Sequence, residues 1–349
     1  MAQLLDIQSG DRLLVSRTDR LGDLVLALPV VETLKARFPG CDVDVLASLY
    51  ASPILENNPC IGRIVRVQND QLVASRHYRK ELEQRIRKRN YKAAIVLYPE
   101  RNISRLLYRA EVPVRIGTAG RFHSVFFTHR LLHSRKANKK HEFEYNLDFM
   151  AYFSDGVTIT RPAVYPTDKE LRNAHRIIKE CGVDGPFVVV HPGSGGSAER
   201  WPMAGFVELY DRLSRNRRVA IVTGSDIEGE EVRTVASERG VVLKEVTGRT
   251  DLRTLAAVLS LATVVVANST GPLHLAVAVG TRVVGLYPGL QIMSPVRWGP
   301  VGVGHRVLQP EVAQCRCPAG HCRCMETITV EQVAEAAEAV YDDVIGKQT

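Results

Sequence analysis

Long apolar runs are missing from this sequence. Nothing in its 349 residues approaches the ~20-residue stretch that crosses a bilayer as a helix. The opening MAQLLDIQSG has no basic segment ahead of an apolar core, so no secretory leader is expected and a cytoplasmic address is. Catalytic signatures are scarce as well. There is no H-E-x-x-H, no G-x-S-x-G and no recognisable Ser/His/Asp order, which removes the common metalloprotease and hydrolase chemistries. The G-x-G-x-x-G dinucleotide spacing and the G-K-[ST] ending of a P-loop are absent too. No zinc finger, RNA-recognition signature or basic zipper is found, so nucleic acid is not the expected partner.

What is present is a chain with material for two ordinary domains, 45% hydrophobic and 24% charged. Its formal charge of +8 is concentrated. Residues 63–141 hold 20 Lys/Arg against 5 Asp/Glu, densest in RHYRKELEQRIRKRN (76–90), and Arg101, Arg105, Arg109, Arg115 and Arg121 continue the excess. One basic helix is commonly a solvated face. An excess this extended favours an anionic partner, either an acidic membrane surface or a phosphorylated acceptor. Cys41, Cys60 and Cys181 stand alone as small core residues. Cys315, Cys317, Cys322 and Cys324 form CRCPAGHCRC, whose C-x-C pairs chelate one tetrahedral ion poorly. A reducible disulfide, a thiol-rich loop and a metal all stay open there, with no metal in the expected mechanism.

Two strand–helix alternations follow one another. Strands are expected at 12–16, 41–48, 61–67, 91–99 and 112–120, with helices at 23–38, 71–90 and 102–110. Segment 121–154, with HSVFFTHRLLH, reads as a surface loop, and TITRPAVYPTDKE (158–170) as a linker. The second series has strands at 187–193, 218–224, 263–268 and 282–289. Its helices fall at 202–216, 228–239, 251–261, 271–280 and 329–346. This predicts an α/β protein with two Rossmann-like domains, 1–160 and 161–349, facing each other across a ligand cleft. The last helix is expected to pack back on the first domain.

Chemistry concentrates where strands end. In SRTDRLGDLVLALPV (16–30), Asp23 sits on a strand-to-helix loop at the carboxyl end of a first strand, where open α/β sheets bind ligands. Asp19 can cap the helix, which leaves Asp23 without a structural task. HPGSGGSAERWP (191–202) offers close-approaching glycines, the hydroxyls of Ser194 and Ser197, the Gly195 amide and the Arg200 cation for a diphosphate. An ordinary turn is its bland alternative. ANSTGPLHLAVAVG (267–280) places Asn268, Ser269 and Thr270 before a helix beginning at Gly271, with His274 one turn in. Such a terminus favours an anion, and capping explains only one of the three polar residues. Glu228, in TGSDIEGEE, either accepts from ribose hydroxyls or stabilises its own helix. Asp42 and Asp44, a D-x-D on a strand, read as its polar face and not as a metal site.

Taken together, DRLGDLVLALPVVETLKARFP (19–39), VHPGSGGSAERWP (190–202), ANSTGPLHLAVAVGTRVVGLYPG (267–289), SPVRWGP (294–300) and CMETITVEQV (324–333) resemble glycosyltransferase family nine, the bacterial heptosyltransferase family. The resemblance implies a GT-B fold that binds a nucleotide sugar, typically ADP-heptose, mainly through the second domain. It implies inverting, metal-free transfer, without a cofactor, to a lipopolysaccharide-core acceptor held by the first. Asp23 would be the general base, Glu228 would lie near the ribose and the backbone at Thr250 near the nucleobase. Arg20 and Arg121 are the candidate acceptor-binding cations, and a lipid-anchored acceptor would keep the protein peripheral to the inner membrane. Two departures stand out. Glu199 occupies a position where many members have Lys, and Ser269 one where several have Asp. Transfer of another sugar, a sugar-nucleotide epimerase and a non-catalytic sugar-nucleotide or lipopolysaccharide-binding protein therefore remain alternatives.

Overall fold

The computed structural model describes residues 4–154, 160–196, 198–311 and 323–347. The chain divides into two compact units, Met1–Pro162 and Ala163–Thr349.

The first unit runs β1 (Arg12–Arg17), α1 (Leu21–Val25), α2 (Leu28–Arg37), β2 (Asp42–Ser48), β3 (Ile64–Val67), α3 (Asn69–Ala74), α4 (Arg76–Arg89), β4 (Ala93–Val96), α5 (Arg101–Arg109), β5 (Val114–Thr118), β6 (His129–Leu131) and α6 (Glu142–Leu147). Its sheet is parallel in the order β3-β2-β1-β4-β5-β6. β4 is buried along its whole length, as expected where helices cover both faces. The order reverses between β1 and β4, so the loops leaving these two strands flank a crevice.

Three expectations change in this unit. The helix expected at 23–38 is two helices, because Pro29 cannot donate to Val25 and its ring crowds that carbonyl. The helix expected at 71–90 breaks at Ser75, whose extended backbone caps α4 through a bond from the Tyr78 amide (3.2 Å). Segment 121–154 is not simply a surface loop. It supplies the sixth strand, the buried Phe127, and α6 with Glu142 and Asn146 fully buried.

The second unit runs α7 (Asp168–Glu180), β7 (Val188–His191), α8 (Met203–Arg215), β8 (Ala220–Val222), α9 (Asp226–Glu238), α10 (Leu252–Leu261), β9 (Val264–Asn268), α11 (Gly271–Ala278), β10 (Arg282–Leu286), α12 (Pro295–Trp298), β11 (Arg306–Leu308) and α13 (Val330–Ile345). The parallel order is β11-β10-β9-β7-β8, with the reversal between β7 and β9. α7 starts inside the expected linker. Its signal is TDKE, a capping box in which Thr167 accepts from the Glu170 amide and Glu170 accepts from the Thr167 amide. α13 packs on α8 and on β10 of its own unit. Val333, Val340 and Tyr341 are buried there, at roughly 1.5–3 kcal/mol for each large apolar side chain.

Candidate active site

In the first unit the crevice is organised by a residue with no place in the sequence-based candidate list. Arg17 ends β1 and is buried, its side chain 2% exposed. Its guanidinium takes Asp19 in a two-pronged pair, Nε to Oδ1 at 2.7 Å and Nη2 to Oδ2 at 2.9 Å. Nη2 also donates to Asp23 Oδ1, and Nη1 donates to Glu142 Oε1 (3.0 Å) and Asn146 Oδ1 (3.2 Å). Asp19 is therefore a partner of Arg17 and not the helix cap, since α1 begins after Arg20 without a side-chain cap. Asn146 fixes the arrangement by donating to the Leu26 carbonyl (3.0 Å) at the end of α1.

Arg135 is the second cation here, 3.2 Å from Glu142. Three carboxylates thus share two guanidinium groups. Burial opposes the Arg17 charge, but Asp19, Asp23 and Glu142 more than offset it and hold its pKa above the ordinary arginine value. The surplus negative charge appears on Asp23. Burial raises its pKa, Arg17 pulls it down, Asp19 and Glu142 push it up again, and the result is about 6. Asp23 keeps 12% of its side chain exposed, and the only hydrogen bond on its carboxylate among the described residues uses Oδ1. Oδ2 is the oxygen available to an incoming hydroxyl. Arg20 is exposed and its charge lowers the Asp23 pKa, so the two are electrostatic neighbours. Arg121 is exposed at the start of the 3-10 turn Phe122–Phe126, where its charge acts on His123. Across the strand reversal, the Thr18 hydroxyl donates to Glu100 (3.1 Å).

The second unit gathers its candidates at the carboxyl ends of β7, β8 and β9. Glu228 closes a capping box on α9, accepting from the Ser225 amide (2.9 Å), and one of its oxygens reaches the Gly195 amide (3.4 Å). Glu228 thus stabilises its own helix, as one of its two interpretations has it, and also holds the glycine loop. Burial works against its charge, yet the Ser225 groups and the Gly195 amide leave its pKa below the usual carboxylate value. A Cβ on Gly193 would stand 2.1 Å from Glu228 Oε1, so only glycine lets the loop come this close. His191, buried and bonded to the Thr223 hydroxyl (2.8 Å), has its pKa pushed down to about 4 by burial and is neutral. The Ser194 hydroxyl accepts from the Gly196 amide (3.3 Å). Ser197 lies outside the described residues, as do Cys315, Cys317 and Cys322. Cys324 is buried, and its sulfur accepts from the Gly289 amide (3.4 Å).

Beside β9, Asn268 is fully buried and joins the two loops of the reversal. It accepts from the Trp201 amide (2.9 Å) and donates to the Pro192 carbonyl (3.0 Å). Ser269 bonds the Tyr287 phenol, which donates to the Trp298 carbonyl (2.7 Å). Thr270 donates to the Asn268 carbonyl (3.2 Å) and makes no side-chain cap on α11. All three polar residues therefore have tasks other than capping. In the first turn of α11 Pro272 has no N–H, and the Leu273 (3.1 Å) and His274 (3.4 Å) amides donate to the Thr270 carbonyl. This leaves the Gly271 amide without an acceptor among the described residues. His274 is buried in the first turn of α11. Thr250, half-buried, precedes Asp251, the cap of α10. Arg200 is engaged with Glu231 (2.8 Å). Of the D-x-D carboxylates only Asp42 lies on an exposed polar face. Asp44 is fully buried and takes Arg89 Nε and the Tyr91 hydroxyl, each at 2.8 Å, while Asp42 takes Arg89 Nη2 at 2.9 Å.

Two parallel sheets, each with polar groups at its strand reversal, an acid at one and the helix-start Gly271 amide at the other, define an α/β group-transfer enzyme of the GT-B class. Residues 79–325 match the model of glycosyltransferase family 9 (heptosyltransferase), and the chain belongs to that family. A putative glycosyltransferase of Haemophilus influenzae is 26% identical over 305 residues, covering 83% of this chain and 86% of the relative. The glycosyl transferase family 9 structure from Veillonella parvula superposes with a TM-score of 0.81 at 20% identity, covering 96% of this chain and 99% of that one. The E. coli ADP-heptose lps heptosyltransferase II structure gives 0.78 at 20% identity, covering 97% and 100%. The protein is a glycosyltransferase.

Proposed function

We propose that this protein moves a heptose from ADP-heptose to a lipopolysaccharide-core-type acceptor, inverting the anomeric centre and using no divalent cation. The observation carrying this reading is the Asp23 carboxylate, its pKa raised to about 6, with one oxygen that has no hydrogen-bond partner among the described residues. A base with that pKa is ionised near neutrality and still basic enough to take a hydroxyl proton. The acceptor oxygen attacks the anomeric carbon as Asp23 Oδ2 accepts its proton, and the bond to the nucleoside diphosphate breaks on the opposite face. Negative charge grows on the departing diphosphate. The Gly271 amide, which has no hydrogen-bond acceptor among the described residues, would stabilise that charge without a metal, and the Gly195 amide would join it on leaving Glu228.

Within this reading Residues 1–160 bind the acceptor and 161–349 the donor. Glu228 receives the ribose, Thr250 borders the nucleobase, His274 supports the phosphate end, and Arg200 joins only by exchanging Glu231. Arg20 and Arg121 face an anionic acceptor. The ADP-heptose named for the E. coli structure supports the donor, and the lipopolysaccharide named there supports the acceptor. An acceptor of that kind places the enzyme at the cytoplasmic side of a membrane, and no helix among the described residues is long and apolar enough to cross one. Another nucleotide sugar is the second reading, favoured by Ser269, a neutral hydroxyl already engaged with Tyr287.

A thermal-shift series with ADP, ADP-heptose, UDP, GDP and CMP, with and without EDTA, tests the donor. Stabilisation by ADP and ADP-heptose that survives EDTA is expected. A shift with UDP or GDP alone rejects the heptose donor, and a shift lost with EDTA rejects the metal-free mechanism.

A further inference from the structure

The first unit carries a groove of about 650 Å³ between α4 and α5, walled mostly by cations. Arg76 and Lys80 line it from α4, and Arg101, Arg105 and Arg109 line it from α5, with Glu83 as the lining acid. The spacings of four place each set on one helix stripe. Among the described residues none of these five cations forms an ion pair, whereas their neighbours do: Arg87 with Glu111, Arg89 with Asp44, Arg66 with Glu56. All five are exposed. Like charges one turn apart repel, so the array is destabilising unless an external anion neutralises it.

Apolar side chains flank the same surface. α4, α5 and the Phe122–Phe126 turn cover one face of the sheet through a shared core that includes Leu82, Ile86, Ile103, Leu107 and Phe127. The turn lies against α5, with the Tyr108 and Phe126 rings 5.5 Å apart. It leaves Phe122 89% and Val125 66% exposed, and Val73 at the groove wall is 64% exposed. Arg101 to Arg109 spans about 12 Å of helix, longer than one phosphate. A basic stripe of that length beside unburied Phe and Val has the composition of an interfacial membrane-binding face.

We propose that the α4–α5 groove and the Phe122–Phe126 turn dock the enzyme on an anionic phospholipid bilayer, the guanidinium groups on headgroup phosphates and Phe122 in the acyl boundary. This deepens the membrane-side placement in the proposed function and rests on that reading.

Co-sedimentation with phosphatidylcholine vesicles, with and without phosphatidylglycerol, tests it. The protein should pellet with the anionic vesicles and be released by high salt. The R101S/R105S/R109S variant should partition about 100-fold more weakly, at roughly fivefold per charge removed near the surface. The all-lysine variant at the same three positions should keep most of the binding, and Phe122→Ser should weaken it at low salt. Equal binding to neutral vesicles, or undiminished binding by the serine variant, overturns the proposal. Transfer to a delipidated, water-soluble acceptor separates this from the enzymatic reading. Equal turnover by the wild type and the serine variant supports a docking face, while loss of turnover in the variant assigns the groove to the acceptor and overturns it. A wild type that pellets as described but transfers nothing upholds the docking face and removes only the enzymatic reading.

Discussion

Asp23 on α1 and Glu142 on α6 are held by one guanidinium. Arg17 donates to Asp23 through Nη2 and to Glu142 through Nη1 (3.0 Å), so residues 119 apart in sequence set each other's electrostatics. Neither carboxylate can be altered without the other registering it.

Asp23→Asn should lower transfer by about 100- to 10,000-fold, the range contributed by a positioned general base. ADP affinity, read by calorimetry, should stay within about twofold. Normal turnover by the variant would remove Asp23 from the mechanism.

The wild-type kcat/KM should rise with pH and level off above about 6, as Asp23 loses its proton. In Glu142→Gln a negative neighbour is gone, and the rise should move to lower pH. An unmoved profile would disconnect the two carboxylates.

The same shift bears on stability. Asp23 binds its proton more tightly folded (about 6) than at its ordinary value of 3.8, so between these the native state holds more protons than the unfolded one. Its contribution is therefore most favourable below about 4 and is lost as pH rises through 6. Asp23→Asn should raise the urea midpoint at pH 7.5 relative to the wild type, with a smaller gain at pH 4.5. The opposite order would refute the assignment.

Arg17→Ala strands Asp19, Asp23 and Glu142 without their shared cation. A loss of about 3–5 kcal/mol is expected, as for breaking other buried ion pairs, measured by denaturant unfolding. Arg17→Lys should recover little, because one ammonium cannot meet the two-pronged Asp19 pair together with Glu142 and Asn146.

Gly193→Ala should displace Glu228 and weaken ADP binding, since the added methyl would sit 2.1 Å from Glu228 Oε1. Combining it with Glu228→Ala should cost less than the two single changes together. Strict additivity would show that the loop and the carboxylate act independently.

Much of this was legible in the sequence because parallel strands buried on both faces are written as unbroken apolar runs, such as TVVVAN before Ser269. The carboxyl-end loops then follow, and with them Asp23, Ser194, Glu228 and Gly271. Arg17 escaped notice because it extends an apolar strand by one residue, and nothing local announces that a terminal arginine turns inward. Glu142 and Asn146 escaped because HEFEYNLDF is polar at spacings that suit a surface, while their burial depends on Arg17, more than a hundred residues away. Asp44 differs from the polar face that its alternation suggests for the same reason, since Arg89 and Tyr91 reach it from beyond its own strand.

That distance gives the chain an order of events during synthesis. Asp19 and Asp23 emerge beside Arg17, but Glu142 and Asn146 follow only when the first unit is nearly complete. Until α6 docks, Asp23 lacks the Glu142 charge that adds to its raised pKa. A permuted chain that separates α6 from this unit would leave the carboxylate in that immature state, even with every strand of the sheet in place.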